Sequence, residues 1–386
     1  MEDQFLRKPS CLESFFMDLD DCGCNMTFHY FLQLGQKPDT AVLNQALSAM
    51  LDTHPGMNLR YFKRGWYISR ELDPCQIVEL EGEDVYNSYN RQLDFRRSTL
   101  GMNVVHTQAD QWFLCFDFFH GAVDGRSGVQ FIYDFFSQLN GNASVDNEFV
   151  MAEADLVAQH GSSKEKLSIP HWPICQLKDA LPKSKGEMTT VVLRTMACTR
   201  SMGAKLASAV GQCFTDQRAN MIIPVDVRRF ANTKKTLFGN LIVPIFVDAN
   251  SNRKIEDLRS EIINYVKQDS LLAAGLNSLF FYNKLPQSLR VFVIGRLLPL
   301  IMLSKKFICC ALVSPIGEVE SKRLQAPQVQ VEDVMVTFVS FPFTAFTVAS
   351  VQYDGHTNTT VCWHSGRVSQ KTADRLIHNI DRSIRT

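Results

Sequence analysis

The sequence predicts an α+β protein of two lobes, and three observations carry that prediction. Strand-like and helix-like periods alternate along the whole chain. The length of 386 residues suits about two domains of ordinary size. Composition also shifts across residues 151–187, where Ser, Pro, Lys and Gly gather with no sustained period, before strands and helices resume near Met188. The expected division is an N-terminal lobe over 1–165, a crossover over 166–187 and a C-terminal lobe over 188–386. Each lobe would be a mixed sheet with flanking helices.

Local patterns give the elements in order. CNMTFHYFLQLG alternates and reads as a strand ending at Gly35. In PDTAVLNQALSAMLDTHPGM, Asp39 is placed to cap a helix, Val42, Leu43, Ala46 and Leu51 recur at helical spacing, and His54-Pro55 ends it. NLRYFKRGWYISR reads as two short strands about Lys63-Arg64-Gly65, and DVYNSYNRQLDFRRS as a weak helix. NVVHTQADQWFLCFDFFH reads as a hairpin turning near Gln108-Ala109-Asp110, with a second strand apolar on both faces, as a central buried strand is. GRSGVQFIYDFFSQL then reads as a helix with Val129, Ile132, Phe135, Phe136 and Leu139 on one face. In the second half, MTTVVLRTMACTR, NMIIPVDVRRF and FGNLIVPIFVDAN read as strands. SMGAKLASAVGQCF and SNRKIEDLRSEIINYVKQD read as helices. VEDVMVTFVSFPF, a hairpin turning at Tyr353-Asp354-Gly355 and a final helix close the chain. No fixed-period repeat is present.

Composition bounds the function. Forty basic residues balance forty acidic ones, which argues against nucleic acid or an anionic membrane as the main partner. The eleven cysteines are odd in number and irregular in spacing, with no C-x-x-C pair, so neither a disulfide framework nor a zinc site is expected. No metal site is expected from the histidines and carboxylates either. The N-terminus lacks an apolar signal core, and a cytoplasmic location with free, buried thiols follows as the expectation. The apolar stretch Leu289–Val313 is interrupted by Arg296, Pro299, Lys305 and Lys306, short of the roughly 20 residues a membrane span needs. It reads as a core helix followed by a buried strand, with an interfacial helix that admits an apolar substrate as the second reading.

The stretch that carries chemistry is FDFFHGAVDGRSG, residues 116–128. His120 leaves a buried strand and enters a turn with glycine at 121 and 125, where small residues let another molecule approach the ring. An imidazole can take and return a proton near neutrality. No G-x-S-x-G elbow accompanies it, so a lone base would activate a substrate's own nucleophile. On residue type alone His120 could equally be structural, and Asp124 a helix cap.

His-x-x-x-Asp-Gly between a hydrophobic strand and a helix resembles the active-site motif of the chloramphenicol-acetyltransferase-like superfamily, which includes condensation domains, polyketide-associated acyltransferases and alcohol O-acetyltransferases. Four further stretches resemble that family in the same order: LNQALSAMLDTHPGMNLRYF, IPVDVRRF with FGNLIVPIFVD, CCALVSPIGEVE, and the last hairpin and helix. The resemblance spans nearly the whole chain. It implies two related lobes meeting at a central tunnel, with His120 as general base between a thioester donor and an alcohol or amine acceptor. The donor would be acyl-CoA or an acyl carrier protein, with no resident cofactor. Asp124 would pair with Arg228, with Arg229 as the fallback, to hold the loop. Gly125 would serve close packing, and Asn240 would either donate to substrate or simply turn the chain into a strand. Two positions depart from the family pattern: Phe119 stands where many members have a first histidine, and Pro315 where Asn is common. These departures keep a second hypothesis open, a catalytically inactive scaffold that binds a carrier protein or partner enzyme.

Overall fold

Alternating runs become strands and 3.6-period runs become helices through the computed structural model, which describes residues 4–82, 84–142, 147–160, 175–177, 187–214, 219–233, 235–267, 282–303, 306–338 and 341–385. The first half runs β1 (Phe5–Arg7), α1 (Cys11–Asp21), β2 (Thr27–Leu34), α2 (Thr40–Thr53), β3 (Leu59–Phe62), β4 (Gly65–Ile68), β5 (Ile77–Glu79), α3 (Val85–Ser88), β6 (Leu100–His106), β7 (Trp112–Phe119), α4 (Gly125–Leu139), β8 (Asn147–Val150), α5 (Glu153–His160) and β9 (Cys175–Gln176). The second runs β10 (Met188–Thr195), α6 (Met202–Gly211), β11 (Asn220–Asp226), β12 (Thr236–Phe238), β13 (Ile242–Asp248), α7 (Ile255–Lys267), α8 (Gln287–Leu303), β14 (Lys306–Phe307), β15 (Cys309–Val319), β16 (Gln325–Ala326), β17 (Val329–Thr337), β18 (Thr344–Tyr353), β19 (His356–His364) and α9 (Gln370–Arg385).

Two six-stranded mixed sheets organise the molecule, in the orders β16-β17-β2-β7-β6-β5 and β10-β19-β18-β15-β11-β13. This is the α+β, two-lobed arrangement expected. β7 is central in the first sheet and buried on both faces, as its unbroken apolar run requires. Phe116 and Phe118 meet Phe131 and Phe135 of α4 edge-on at 5.3–5.9 Å. Burying such a ring contributes about 1.5–3 kcal/mol each. α4 is anchored because its inward stripe, Val129, Ile132, Phe135 and Phe136, is fully removed from water. None of the eleven cysteines is in a disulfide, and seven are buried.

Several expectations change at this level. The expected crossover at 166–187 lies mostly outside the described residues. The sheets, however, do not follow the sequence halves: Val331–Thr337 pairs antiparallel with β2, so part of 188–386 completes the first sheet. DVYNS gives a single helical turn, because its apolar positions run out after Tyr89 and Asp84 caps only that turn. The strand expected over FGNLIVPIFVDAN is broken at Gly239–Leu241 into β12 and β13. In Leu289–Val313 the strand half is buried, but the helix is not a core helix. α8 rests one side on α1, tied by an Arg290–Asp18 pair at 2.7 Å, and leaves the other in solvent. Periodicity could not show this, because α8 is apolar all round.

α1 was not foreseen, although its start is written in the sequence as Ser10-x-x-Glu13. The Ser10 hydroxyl accepts from Glu13 N at 3.2 Å, and Glu13 accepts from Ser10 N at 2.7 Å, a reciprocal capping box. Glu13 also holds Arg7 at 2.5 Å. Beside it, Glu153 of α5 is fully buried, and neither carboxylate oxygen has a partner in full hydrogen-bond geometry. Burial, and then the charge of Glu13, push its carboxyl up to about 8 from an ordinary 4.5. Between those values the folded chain holds a proton that the unfolded chain has released, so stability falls as pH rises through the window. Glu153→Gln is therefore expected to raise the urea midpoint at pH 8, with the gain shrinking toward pH 4.5. Identical midpoints at pH 8 would contradict the assignment.

Candidate active site

Register delivers His120 to its place. Thr27 pairs with Phe119 across β2 and β7, and the next amide, His120 N, donates to Met26 O at 2.8 Å. The ring is 7% exposed. It lies flat on Phe16 of α1 (4.7 Å between centroids, 12° between planes), meets Phe28 of β2 edge-on at 5.2 Å and leans on Phe338 at 5.7 Å. Burial lowers its pKa below the ordinary 6.5, opposed by the backbone of His120 and Val123 and by the Asp124 charge. The imidazole is thus neutral at neutral pH. Its Nδ1 is buried with no partner in hydrogen-bond geometry. Phe119 points into the core, stacked on Phe95 at 4.8 Å, so the departure at this motif position fills an apolar site away from the His120 ring.

Asp124 and Arg228 come together as the resemblance implied, 104 residues apart in sequence. Arg228 Nη2 donates to both carboxylate oxygens, at 3.0 and 2.9 Å, and to Ser127 Oγ at 2.6 Å. Asp124 also caps α4, accepting from Ser127 N at 2.8 Å, and accepts from Leu241 N at 2.7 Å. Arg228 Nε donates to Leu237 O, and Nη1 meets Asp226 at 3.0 Å. Arg229 instead lies over the Phe230 ring. The carboxylate therefore clamps the β12–β13 break onto the start of α4 and has no lone pair left over for a proton-transfer role. Ser127 completes the clamp by donating to Gly239 O and accepting from Gly239 N. Gly239 has φ 141°, and a Cβ there would stand 2.1 Å from Met151 O, so only glycine fits.

Asn240 is not among the residues that line the cavity described below. It is fully buried, and its Nδ2 donates to the His120 carbonyl at 2.7 Å. The break in the strand brings it there, so it positions the histidine loop from the opposite lobe. Gly125 accepts from Tyr30 OH at 2.6 Å, and a Cβ on it would stand 2.5 Å from Ile316 Cδ1, which explains the close packing expected there. Pro315 lines the wall beside it.

His120 opens onto a cavity of about 540 Å³ between the two lobes. Alternate residues of β11 and β13, including Ile222, Pro224, Pro244 and Phe246, form one wall; Phe15, Phe16 and Phe341 form part of another. Asp124, Arg126, Asp226 and Ser314 are its other polar lining residues. Sequence reasoning missed Phe16, Ser127 and Arg126. The Ser10 capping box would have announced the helix carrying Phe16, and an Asp cap three residues before Ser127 marks that serine as buried at the helix start.

No family model matches the chain, and no curated protein matches it. Solved structures do. Polyketide synthase associated protein 5 from Mycobacterium tuberculosis superposes with a TM-score of 0.60 at 15% identity, covering 98% of each chain. The condensation domain of the Monacolin K polyketide synthase MokA gives 0.62 at 12%, covering 99% of this chain and 97% of that one. A variant of the starter condensation domain of rhizomide synthetase RzmA, in complex with C8-CoA and Leu-SNAC, gives 0.63 at 10%, covering 99% and 95%. The fold is condensation-domain-like. In this condensation-domain-like frame the cavity is the space between the lobes, and His120 stands on its wall.

Proposed function

We propose that the chain transfers an acyl group from a thioester to an alcohol or amine, with His120 as the general base. The observation that supports this reading most is a buried, neutral imidazole on the wall of an inter-lobe cavity, beside a motif aspartate fully engaged with Arg228. His120 takes the proton of the acceptor O–H or N–H as that atom bonds to the thioester carbonyl carbon. When the carbonyl re-forms, the C–S bond breaks, and the thiolate takes the proton back from the imidazolium. Such general-base help contributes about 10²–10⁴-fold, and holding both reactants beside the ring adds to it. The sparsely polar walls exclude water that would otherwise hydrolyse the thioester. The rhizomide domain, solved with C8-CoA, and the polyketide-associated relative favour acyl-CoA or a carrier protein as donor.

Thiol release from acetyl-, butyryl- and long-chain acyl-CoA with pooled alcohols and amines tests the reading. Acceptor-dependent release is the expected result, and its donor preference gives the acyl length. If neither acyl-CoA nor an acylated carrier protein yields release, the scaffold reading replaces it. The pH profile supplies a second check. Because burial lowers the His120 pKa, kcat/KM is expected to stay level below pH 6.5 before falling on the acid side. An acid limb centred above 6.5 would exclude His120 as the base.

A further inference from the structure

Helix α8 is apolar on every side, and the described residues cover one side only. Arg290 and Leu298 are its buried residues, and Ile294 packs on the core of the first lobe. Leu289, Phe292, Val293, Leu297, Leu300 and Leu303 point outward and are 41–62% exposed. These are six of the twelve large apolar side chains that are exposed among the described residues, gathered on one helix. A helix of this composition is stable when both faces are out of water, and so concentrated a patch marks a surface that meets an apolar partner.

Charge selects the partner. From Leu285 to Gly317 the chain carries Arg290, Arg296, Lys305 and Lys306 and no acidic residue. Arg290 is engaged with Asp18, but the Arg296 guanidinium lies over the exposed Phe292 ring at 5.2 Å, on the apolar face itself. A second copy meeting this face through a two-fold axis at the middle of the helix would set the Arg296 guanidinium against its own counterpart. A bilayer with anionic headgroups takes both: acyl chains receive the Leu and Phe side chains, and headgroups receive the Arg296 guanidinium. The helix has 17 residues, about 25 Å, and no described helix is long and apolar enough to cross a membrane, so α8 would lie along the surface.

We propose that α8 docks the protein on an anionic lipid surface, through a local excess of cations that the balanced whole-chain charge does not show. The helix packs on α1, whose Leu12, Phe15 and Phe16 line the cavity, so docking brings the lipid phase beside the cavity's apolar wall. The inference concerns binding and stands independently of acyl transfer.

Co-flotation of the full chain with vesicles tests it, using phosphatidylcholine alone and equal parts of phosphatidylcholine and phosphatidylglycerol. Wild type is expected to float with the anionic vesicles, less so at high salt. Leu297→Glu/Leu300→Glu is expected to bind at least about tenfold more weakly while keeping the wild-type melting temperature, since both side chains are exposed. Arg296→Glu is expected to lose the preference for anionic over neutral vesicles. Wild type remaining unbound to every vesicle, or the double leucine variant floating as well as wild type, would overturn the proposal. So would a wild-type dimer that the double variant dissolves without any vesicle binding, which would assign the face to a second copy.

Discussion

His120→Ala is expected to fold and to lose acyl transfer by about 10²–10⁴-fold, in kcat more than in KM. The ring is not part of the clamp between the lobes: Asp124, Ser127, Arg228 and Gly239 hold each other without it, and Asn240 bonds the His120 carbonyl, which the variant keeps. Truncation does remove the stacking surface of Phe16, so some stability is lost. His120→Gln, closer in volume, separates that loss from the chemistry. Both variants are expected to be inactive with unfolding midpoints near wild type for the glutamine. A folded His120→Gln that turns over at the wild-type rate would remove His120 from the mechanism.

Asp124→Ala is expected to act through the fold. Removing one partner of a buried ion pair costs roughly 3–5 kcal/mol. The helix cap and the bond from Leu241 N go with it. Arg228 retains Asp226 at 3.0 Å, which holds the loss near the lower end. The denaturant midpoint should fall steeply, and activity should fall with the folded fraction. Arg228→Lys is expected to follow the same pattern, since one ammonium cannot reach Asp124, Ser127, Leu237 and Gly239 together. An Asp124→Ala protein with the wild-type midpoint and no activity would instead place the carboxylate in the chemistry.

Much of this site could be read in the sequence because its components are local. A buried strand, a glycine-flanked turn and a capped helix follow one another within FDFFHGAVDGRSG, and each obeys a near-neighbour rule. The partner of Asp124 was reachable only because two separate motifs matched one resemblance. Asn240 stayed open between two readings because a polar side chain beside a glycine looks the same in sequence whether it faces substrate or a carbonyl 120 residues away. α8 was misread as core for a related reason: periodicity reports which sides of a helix are apolar, and here all of them are.

The sequence by itself determined the α+β class, most strands and helices, the absence of a disulfide framework and His120 as the group to watch. These follow from hydrophobic periods, caps and turn residues, which act over a few residues. The tertiary structure alone decided that Val331–Thr337 completes the first sheet, that Phe16, Phe28 and Phe338 enclose the imidazole, and that α8 keeps an apolar face in solvent. Those features depend on contacts between distant segments, whose selection rests on packing and desolvation summed over the whole molecule, and no local pattern encodes that sum.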